Sequence, residues 1–403
     1  MLELAMAEKI LVVEDRMADR KLLVGMLQKE GYEIIEVADG DEAVQLALTE
    51  QPDLIILDIV MPKRDGYEVC VELKRDGRCA HIPIIFCSAR TEAEDKIRGL
   101  ELGGGDYVTK PFDKGEVLAR VRAHLKIRRL TKALIQANKE LMDKQESLNE
   151  DLKAASGIQR CLLPPGPPDA EALDVAWRFM PCRSVGGDIF NIFRLDETSW
   201  GLYMLDVSGH GVPSALVAVS VSQMLQPQVG FLLKRSTHFP PYYEVLSPSD
   251  VLAELNRSYP FERFHKFFTM SYLILNTRES SIKYSNAAHP PPLLLRKDGV
   301  VELLEEGGTV IGMGAMKPYR EGMRRLAPGD KLIVYTDGIL EYQNNDGELY
   351  GKDRFLAELK RFSDRPVFHM VNEAIGALLE FGGNTEPRDD VSLLGLEFRG
   401  EGR

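Results

Sequence analysis

Between about residues 123 and 163 the chain carries almost no glycine or proline, and it then meets Pro164-Pro165-Gly166-Pro167-Pro168. A stretch without breakers can run as one helix. Proline lacks the N–H and clashes with the preceding turn, so the helix must stop at this run. Along the stretch Ile127, Leu134, Leu141, Leu148, Ala155 and Leu162 recur at heptad spacing, which predicts a coiled-coil seam. The alternate seam positions are apolar at Leu130, Ala137 and Ile158 but charged at Lys144 and Asp151, so the expected coil is weak in its middle and supports a marginal homodimer. A chain of 403 residues is too long for one ordinary core and right for two cores and a connector. The expected organisation is a domain over 1–125, a coiled-coil linker helix over 126–163 and a second domain over 164–403.

The bulk composition narrows the class. Hydrophobic residues make up 44% and charged residues 28%, the balance of a globular chain. No apolar stretch approaches the roughly 20 residues of a membrane helix, and MLELAMAEK at the N-terminus lacks the basic start and long apolar core of a secretory signal. A cytoplasmic protein that neither spans a membrane nor binds one is expected. The net charge of −12 argues against nucleic acid as the main ligand and suits a protein that gathers carboxylates for cations. The five cysteines, Cys70, Cys79, Cys87, Cys161 and Cys182, show no CxxC spacing, so neither a disulfide framework nor a zinc site is signalled.

From Lys9 to about residue 125, short apolar runs (ILVVED, IIEV, DLIILD, PIIFCS, DYVTK) alternate with amphipathic stretches. Five strands alternating with five helices imply an α/β fold, a parallel doubly wound sheet. Open parallel sheets place their sites at the carboxyl ends of strands. There lie Glu14 and Asp15 after the first strand and Asp58 after the third, three carboxylates whose repulsion a hard, oxygen-liganded cation such as Mg²⁺ relieves. Lys110 in VTKPF and Ser88 in FCSAR add an ammonium and a hydroxyl to the same edge, a set able to hold a phosphoryl group on Asp58.

Through Glu14 and Asp15, the DIVMPKRDG block around Asp58, Ser88 and Lys110-Pro111, residues 8–125 resemble the response-regulator receiver family. The resemblance implies phosphotransfer to Asp58 from a sensor histidine kinase, a Mg²⁺ held also by the Val60 carbonyl, and a switch aromatic at Tyr107. Phosphorylation would set about two negative charges beside Lys110 and Ser88 and repack the last strand and helix, which leads into the linker.

Beyond Pro168, strands are expected at 174–180, 187–195, 200–207, 268–275, 281–288, 291–296, 332–336 and 391–398, with helices near 212–230, 249–258, 352–362 and 366–381. Grouped in this way they imply an α+β architecture, antiparallel sheet with helices layered outside. The segment 227–247, rich in proline and aromatics, is read as a flap over a site. Four motifs place an Asp in a tight turn beside an apolar strand: VGGDIF (Asp188), LDVSGHG (Asp206), YTDGILE (Asp337) and PRDDVS (Asp389, Asp390). With no histidine at metal-ligand spacing, these carboxylates suggest two Mg²⁺ or Mn²⁺ ions and not zinc. Such a pair, typically roughly 3.5–4 Å apart, activates water for in-line attack on phosphorus with no covalent enzyme intermediate.

These blocks, with IQRCLLPP before them, resemble over about 154–399 the PPM (protein phosphatase 2C-like) serine/threonine phosphatases, in particular the RsbU and SpoIIE-type branch. The resemblance implies an αββα four-layer sandwich in which Asp206 bridges two metals, Asp188 serves the second, Asp337 and Asp389 serve the first, and the Val207 carbonyl adds a ligand. Asp390 stays open as an alternative to Asp389. Arg183 is either a bidentate grip on substrate phosphate or a surface residue. His210 is either a proton donor to the leaving oxygen or a turn residue. The branch implies a phosphorylated anti-sigma-factor antagonist as substrate. The rival reading is a phosphatase-like adaptor, catalytically inactive, that binds a sigma factor or anti-sigma partner.

Overall fold

The computed structural model describes residues 7–400 apart from 89–92, 228–231, 239–241, 315–316 and 384, and the side chains of 93–96. Most of the N-terminal segment read for a secretory signal, and parts of the 227–247 segment, therefore lie outside the described residues. The chain divides into two compact units, Met1–Glu146 and Ser147–Arg403.

The first unit runs β1 (Lys9–Val13), α1 (Met17–Gln28), β2 (Glu33–Val37), α2 (Gly40–Glu50), β3 (Leu54–Asp58), α3 (Gly66–Arg75), β4 (Ile84–Ser88), α4 (Ala93–Glu101), β5 (Asp106–Thr109) and α5 (Lys114–Arg160). All pairings are parallel, in the order β2-β1-β3-β4-β5. Because strand side chains alternate, Leu11, Ile55, Leu57 and Phe86 meet α2 and α3 on one face through Ala43, Val69 and Leu73. Ile10, Val12, Ile56 and Ile85 meet Leu23 of α1 and Val117 and Val121 of α5 on the other. This is the doubly wound α/β sheet expected from the sequence. Helix α3 starts at a capping box in which Asp65 accepts from the Glu68 N–H and Glu68 reaches back to the Asp65 N–H. The cap presses Gly66 onto the strand end, where any Cβ would collide with the Asp58 carbonyl.

Helix α5 is 47 residues long. Its first turns bury Val117, Leu118, Val121 and Leu125, whereas Ile127, Leu130, Leu134, Leu141 and Leu148 are 58–63% exposed. Among the described residues no helix is long and apolar enough to cross a membrane.

The second unit continues with β6 (Leu173–Met180), β7 (Ile189–Arg194), β8 (Ser199–Val207), α6 (Val212–Met224), β9 (Lys234–Ser236), β10 (Tyr243–Val245), α7 (Pro248–Ser258), α8 (Phe261–Phe264), β11 (Phe268–Asn276), β12 (Ser281–Ala287), β13 (Leu293–Leu295), β14 (Val301–Leu303), β15 (Gly307–Gly308), β16 (Gly322–Arg325), β17 (Lys331–Tyr335), α9 (Asp337–Leu340), α10 (Gly351–Arg361), α11 (Val367–Gly382) and β18 (Val391–Phe398). One sheet has the order β15-β12-β11-β8-β7 with β16 added on β12, and the other is β14-β13-β17-β18-β6. Their inner faces share a core with Tyr203, Leu205, Tyr272, Val334, Leu394 and Leu396. Helices α6 and α7 add Val217, Val221, Val251 and Leu255 to it, while α10 and α11 cover the second sheet through Phe355, Leu359, Met370 and Val371. The result is the four-layer αββα sandwich.

Two expectations change. The helix predicted near 212–230 stops at Met224, because Pro227 disfavours helical geometry in the residue before it. The described part of 227–247 is an antiparallel hairpin of β9 and β10, anchored by buried Leu232 and Leu233. It borders a cavity of about 340 Å³ with Ser199, Asn276 and Ser281. Those residues lie at the opposite end of β8 and β11 from Asp206, roughly 24 Å away by the rise of an extended strand, so the hairpin is no flap over that carboxylate.

Leu394 is fully buried between the two sheets. Leu394→Ala should cost about 2–5 kcal/mol by leaving a cavity, read as a lower urea midpoint of the second unit, whereas Leu216→Ala, on the exposed face of α6, should shift it by less than about 0.5 kcal/mol.

Candidate functional site

In the first unit the strand ends bring Glu14, Asp15 and Asp58 together, with a carboxylate oxygen of each within 4.8 Å of the others. Glu14 and Asp58 are buried. Lys110 Nζ donates to Asp58 Oδ2 at 2.7 Å and to Glu14 Oε1 at 2.9 Å. Burial works against this ammonium, yet its bonds to Asp58 and Glu14 outweigh burial and hold its pKa above the ordinary lysine value. Burial pushes the Glu14 carboxyl up, with the Asp58 charge adding to it and Lys110 opposing. The Val60 N–H donates to Asp58 Oδ1 at 3.2 Å. Ser88 and Tyr107 are buried on the neighbouring strands β4 and β5. Asp15 Oδ1 is buried with no hydrogen-bond partner, an orphan acceptor beside two further carboxylates. One lysine against three carboxylates leaves negative charge over, which fits a hard divalent cation.

In the second unit four strand ends converge on one edge of the sandwich. Antiparallel pairing of β7 and β8 sets Ile189 opposite Leu205, and so brings Asp188, just before β7, close to Asp206 near the end of β8. Pairing of β17 with β18 does the same for Asp337 and the Asp389-Asp390 turn. The two turns are locked: Thr336 Oγ1 donates to the Asp390 carbonyl at 3.2 Å and accepts from the Ser392 N–H at 3.0 Å, and Gly338 packs where a Cβ would strike the Asp390 backbone.

Burial raises the pKa of Asp188, with the charges of Asp206 and Asp390 adding to it. Burial likewise raises Asp206, followed by the charges of Asp337, Asp389 and Asp390. Asp337 and Asp389 are also raised, chiefly by burial. Among the described residues none of the four forms an ion pair with lysine or arginine. Uncompensated buried carboxylates of this kind fit divalent cations as their missing counter-charge. The Val207 carbonyl faces the same turn, 2.7 Å from where a Cβ on Gly187 would lie.

The adjacent Asp389 and Asp390 diverge. Asp390 is buried, and its carboxylate accepts three backbone N–H groups: Cys182 at 2.8 Å, Gly187 at 2.5 Å and Asp188 at 3.2 Å. Asp389 is half-buried, and among the described residues its carboxylate accepts only the Asp390 N–H, at 2.8 Å, which leaves lone pairs free. Arg183 is exposed and has no ion pair among the described residues. His210 is exposed and near enough to Asp389 for its charge to favour that carboxylate.

Three residues that were not among the expected site residues also build the site. Ser392 Oγ donates to Asp188 Oδ2 at 2.6 Å. Lys266 Nζ ties down the turn after Asp206 through the Ser208 carbonyl at 2.7 Å and Ser214 Oγ at 3.1 Å. Gln159 bonds the turn before Asp188. Ser392 lies within PRDDVS and Gln159 within IQRCLLPP, whereas Lys266 lies in none of the motifs.

Residues 196–399, half of the chain, match the sequence model of the family described as stage II sporulation protein E, SpoIIE. The chain belongs to the SpoIIE family. Residues 10–122 match the response regulator receiver domain. The SpoIIE match contains Asp206, Asp337 and Asp389 and begins after Asp188 and Arg183. The SpoIIE-type unit has the fold of the SiaA-PP2C domain of Pseudomonas aeruginosa, with a TM-score of 0.52 at 23% identity over 63% of this chain and 98% of that one. A structure of RsbU and RsbW domains from Mycobacterium tuberculosis aligns at a TM-score of 0.48 and 24% identity, over 60% of this chain and 63% of that one. The receiver is 48% identical over 121 residues to the alkaline phosphatase synthesis transcriptional regulatory protein PhoP of Bacillus subtilis, covering 30% of this chain and 50% of that protein. It is 46% identical over 132 residues to a probable transcriptional regulator of Guillardia theta, covering 33% and 50%. The chain spans about half the length of the curated relatives it matches. The architecture is an N-terminal receiver followed by a SpoIIE-family domain.

The divergent roles of the Asp pair predict opposite outcomes in chelator. Asp390→Ala strips three buried N–H groups of their acceptor and should destabilise the second unit by about 3 kcal/mol or more. Asp389→Asn relieves like-charge repulsion and should leave the urea midpoint unchanged or raised. Equal losses from both substitutions would contradict the division of labour.

Proposed function

We propose that the protein is a two-component response regulator whose receiver, phosphorylated on Asp58, controls a divalent-metal-dependent phosphoserine/phosphothreonine protein phosphatase. The observation that carries this reading is the convergence of Asp188, Asp206, Asp337 and Asp389 on one edge of the sandwich, with no ion pair to lysine or arginine among the described residues. In the proposed assignment Asp206 bridges two cations, Asp188 serves the second, Asp337 and Asp389 serve the first, and the Val207 carbonyl completes the set. Bound as a pair, Mg²⁺ or Mn²⁺ supplies the Lewis acidity and water activation that phosphomonoester hydrolysis requires. The exposed guanidinium of Arg183 is suited to a bidentate grip on the substrate phosphate, five residues before Asp188. In the proposed assignment His210, which acts electrostatically on Asp389, would hold a proton for the departing serine or threonine oxygen.

In the receiver, the Asp58 carboxylate would take a phosphoryl group from a phosphohistidine of a sensor kinase, forming a P–O bond as the P–N bond breaks. Lys110, already bonded to Asp58, would then face about two added negative charges. Ser88 and Tyr107, buried on β4 and β5, are the proposed responders. A Mg²⁺ at Glu14, Asp15, Asp58 and the Val60 carbonyl would offset the charge. The proposed substrate is a phosphorylated anti-sigma-factor antagonist in a partner-switching pathway in the cytoplasm, and family membership is what supports it. The seam residues exposed along α5 support a homodimer. The filled carboxylate set counts against the adaptor reading.

The test is hydrolysis of a phosphoserine protein with Mn²⁺ or with chelator, before and after an acyl-phosphate donor. Turnover should require the metal, change with the donor, lose its donor response in Asp58→Asn and vanish in Asp206→Ala. Full turnover in Asp206→Ala overturns the site assignment, and absence of turnover in every condition, with tight partner binding instead, establishes an adaptor. Sedimentation should show donor-dependent dimerisation that Leu134→Lys, placing a charge on the seam, abolishes.

A further inference from the structure

Gln159 is an amide buried in the last turn of α5, a place where a polar side chain is ordinarily in water. Its Nε2 donates to the Gly186 carbonyl at 2.9 Å and to the Asp188 carbonyl at 3.4 Å, and its Oε1 accepts the Gly186 N–H at 3.1 Å. From the other side, Asp390 Oδ2 accepts the Gly187 and Asp188 N–H groups. The Gly186-Gly187-Asp188 turn thus has little backbone partnering of its own. Two buried side chains hold it, one from 27 residues before Gly186 and one from 203 residues after Gly187. The turn is also pinched, since a Cβ on Gly186 would strike the Asp390 carboxylate and one on Gly187 would lie 2.7 Å from the Val207 carbonyl. The backbone is held on both sides, and Ser392 holds Oδ2 of the Asp188 carboxylate.

We propose that Gln159 is a positioning residue for the metal centre: its amide clamps the turn that presents Asp188, and without the clamp the centre binds divalent cations more weakly. The inference rests on the phosphatase reading and assigns Gln159 no contact with substrate or metal. Partners that orient a metal ligand typically change affinity by 10–100-fold when removed. The length of Gln159 and its paired donor and acceptor are both needed, because the clamp gives and takes a hydrogen bond at a single residue, Gly186. Neither a carboxylate nor a thioether can do both.

The experiment is titration of the full chain with Mn²⁺, the free ion followed by its electron paramagnetic resonance signal, in the native chain, Asp206→Ala and Gln159→Met. The Mn²⁺ that the native chain binds and Asp206→Ala does not belongs to the phosphatase centre. Gln159→Met, close in size and lacking both hydrogen bonds, should weaken that component about tenfold or more, and turnover should recover as Mn²⁺ is raised to saturation. Native-like affinity for that component in Gln159→Met overturns the inference and leaves the phosphatase reading standing. Identical titrations of the native chain and Asp206→Ala overturn both. Should Gln159→Met fail to fold, Gln159→Glu decides: it keeps the acceptor for the Gly186 N–H but sets an oxygen against the Gly186 carbonyl. Weakened Mn²⁺ binding in it supports the clamp, and native affinity removes it.

Discussion

Buried carboxylates repel one another, and the two units meet that repulsion differently. In the receiver Lys110 sits against Asp58 and Glu14, so part of the charge is balanced from within the chain. In the SpoIIE-type unit Asp188, Asp206, Asp337 and Asp389 have no such lysine among the described residues, and the charges of Asp206, Asp337 and Asp389 make ionisation of a neighbour harder. Protons or cations from outside must supply the balance. The first arrangement suits a site that gains and loses a phosphoryl group on a standing framework. The second suits one that assembles around metal.

Asp390 explains how the second arrangement keeps its shape while empty of counter-charge. It carries the same negative charge as its neighbours, yet it points at three backbone N–H groups, which solvate it as water would. In doing so it joins β18 to the turns around Cys182 and Asp188, more than 200 residues away in sequence. The contrast between Asp389 and Asp390 follows from strand geometry, since successive side chains entering β18 face opposite ways. One carboxylate is turned inward as structure, and the next keeps its lone pairs for the cleft.

The fold was legible wherever sequence periodicity coincided with burial. Strands β1, β3 and β4 read as apolar runs ending in the residues that form the receiver site, and β8, β11, β17 and β18 were long enough to show their pattern. The strands β14, β15 and β16 were not, because elements of two to four residues carry no period, and β9 and β10 sit in a segment whose prolines suggested irregular chain. The carboxylates of the candidate site were legible because each motif joins an Asp to the tight turn that places it. The roles of Gln159 and Lys266 were not, even though Gln159 lies in IQRCLLPP, because one glutamine in a polar helix or one lysine in a loop looks like a solvated residue. Their partners are backbone atoms of distant turns, which leave no mark on composition or spacing.

Beyond Leu125, α5 presents an unusual balance. Apart from Arg128, which bonds Asp53 and the His81 carbonyl, its side chains from Lys126 to Glu150 are exposed, so from Arg129 on the helix has no tertiary packing to draw on within the described chain. Helices without packing rely on intrinsic propensity and on local pairs such as Gln136 with Glu140, each worth about 0.2–0.5 kcal/mol. The composition, rich in leucine, lysine, glutamate, glutamine and alanine, favours helix even so. The seam of Ile127, Leu134, Leu141 and Leu148 would gain from a second copy, while Lys144 and Asp151 on the alternate positions subtract from that gain. Opposing contributions of this kind leave the proposed pairing nearly balanced. A nearly balanced equilibrium is one that the 1–3 new charge-assisted hydrogen bonds of a phosphoryl group, each worth about 1.5–3 kcal/mol, can tip. A seam apolar throughout would hold the pair whether or not Asp58 was phosphorylated, and the receiver would then have nothing to control.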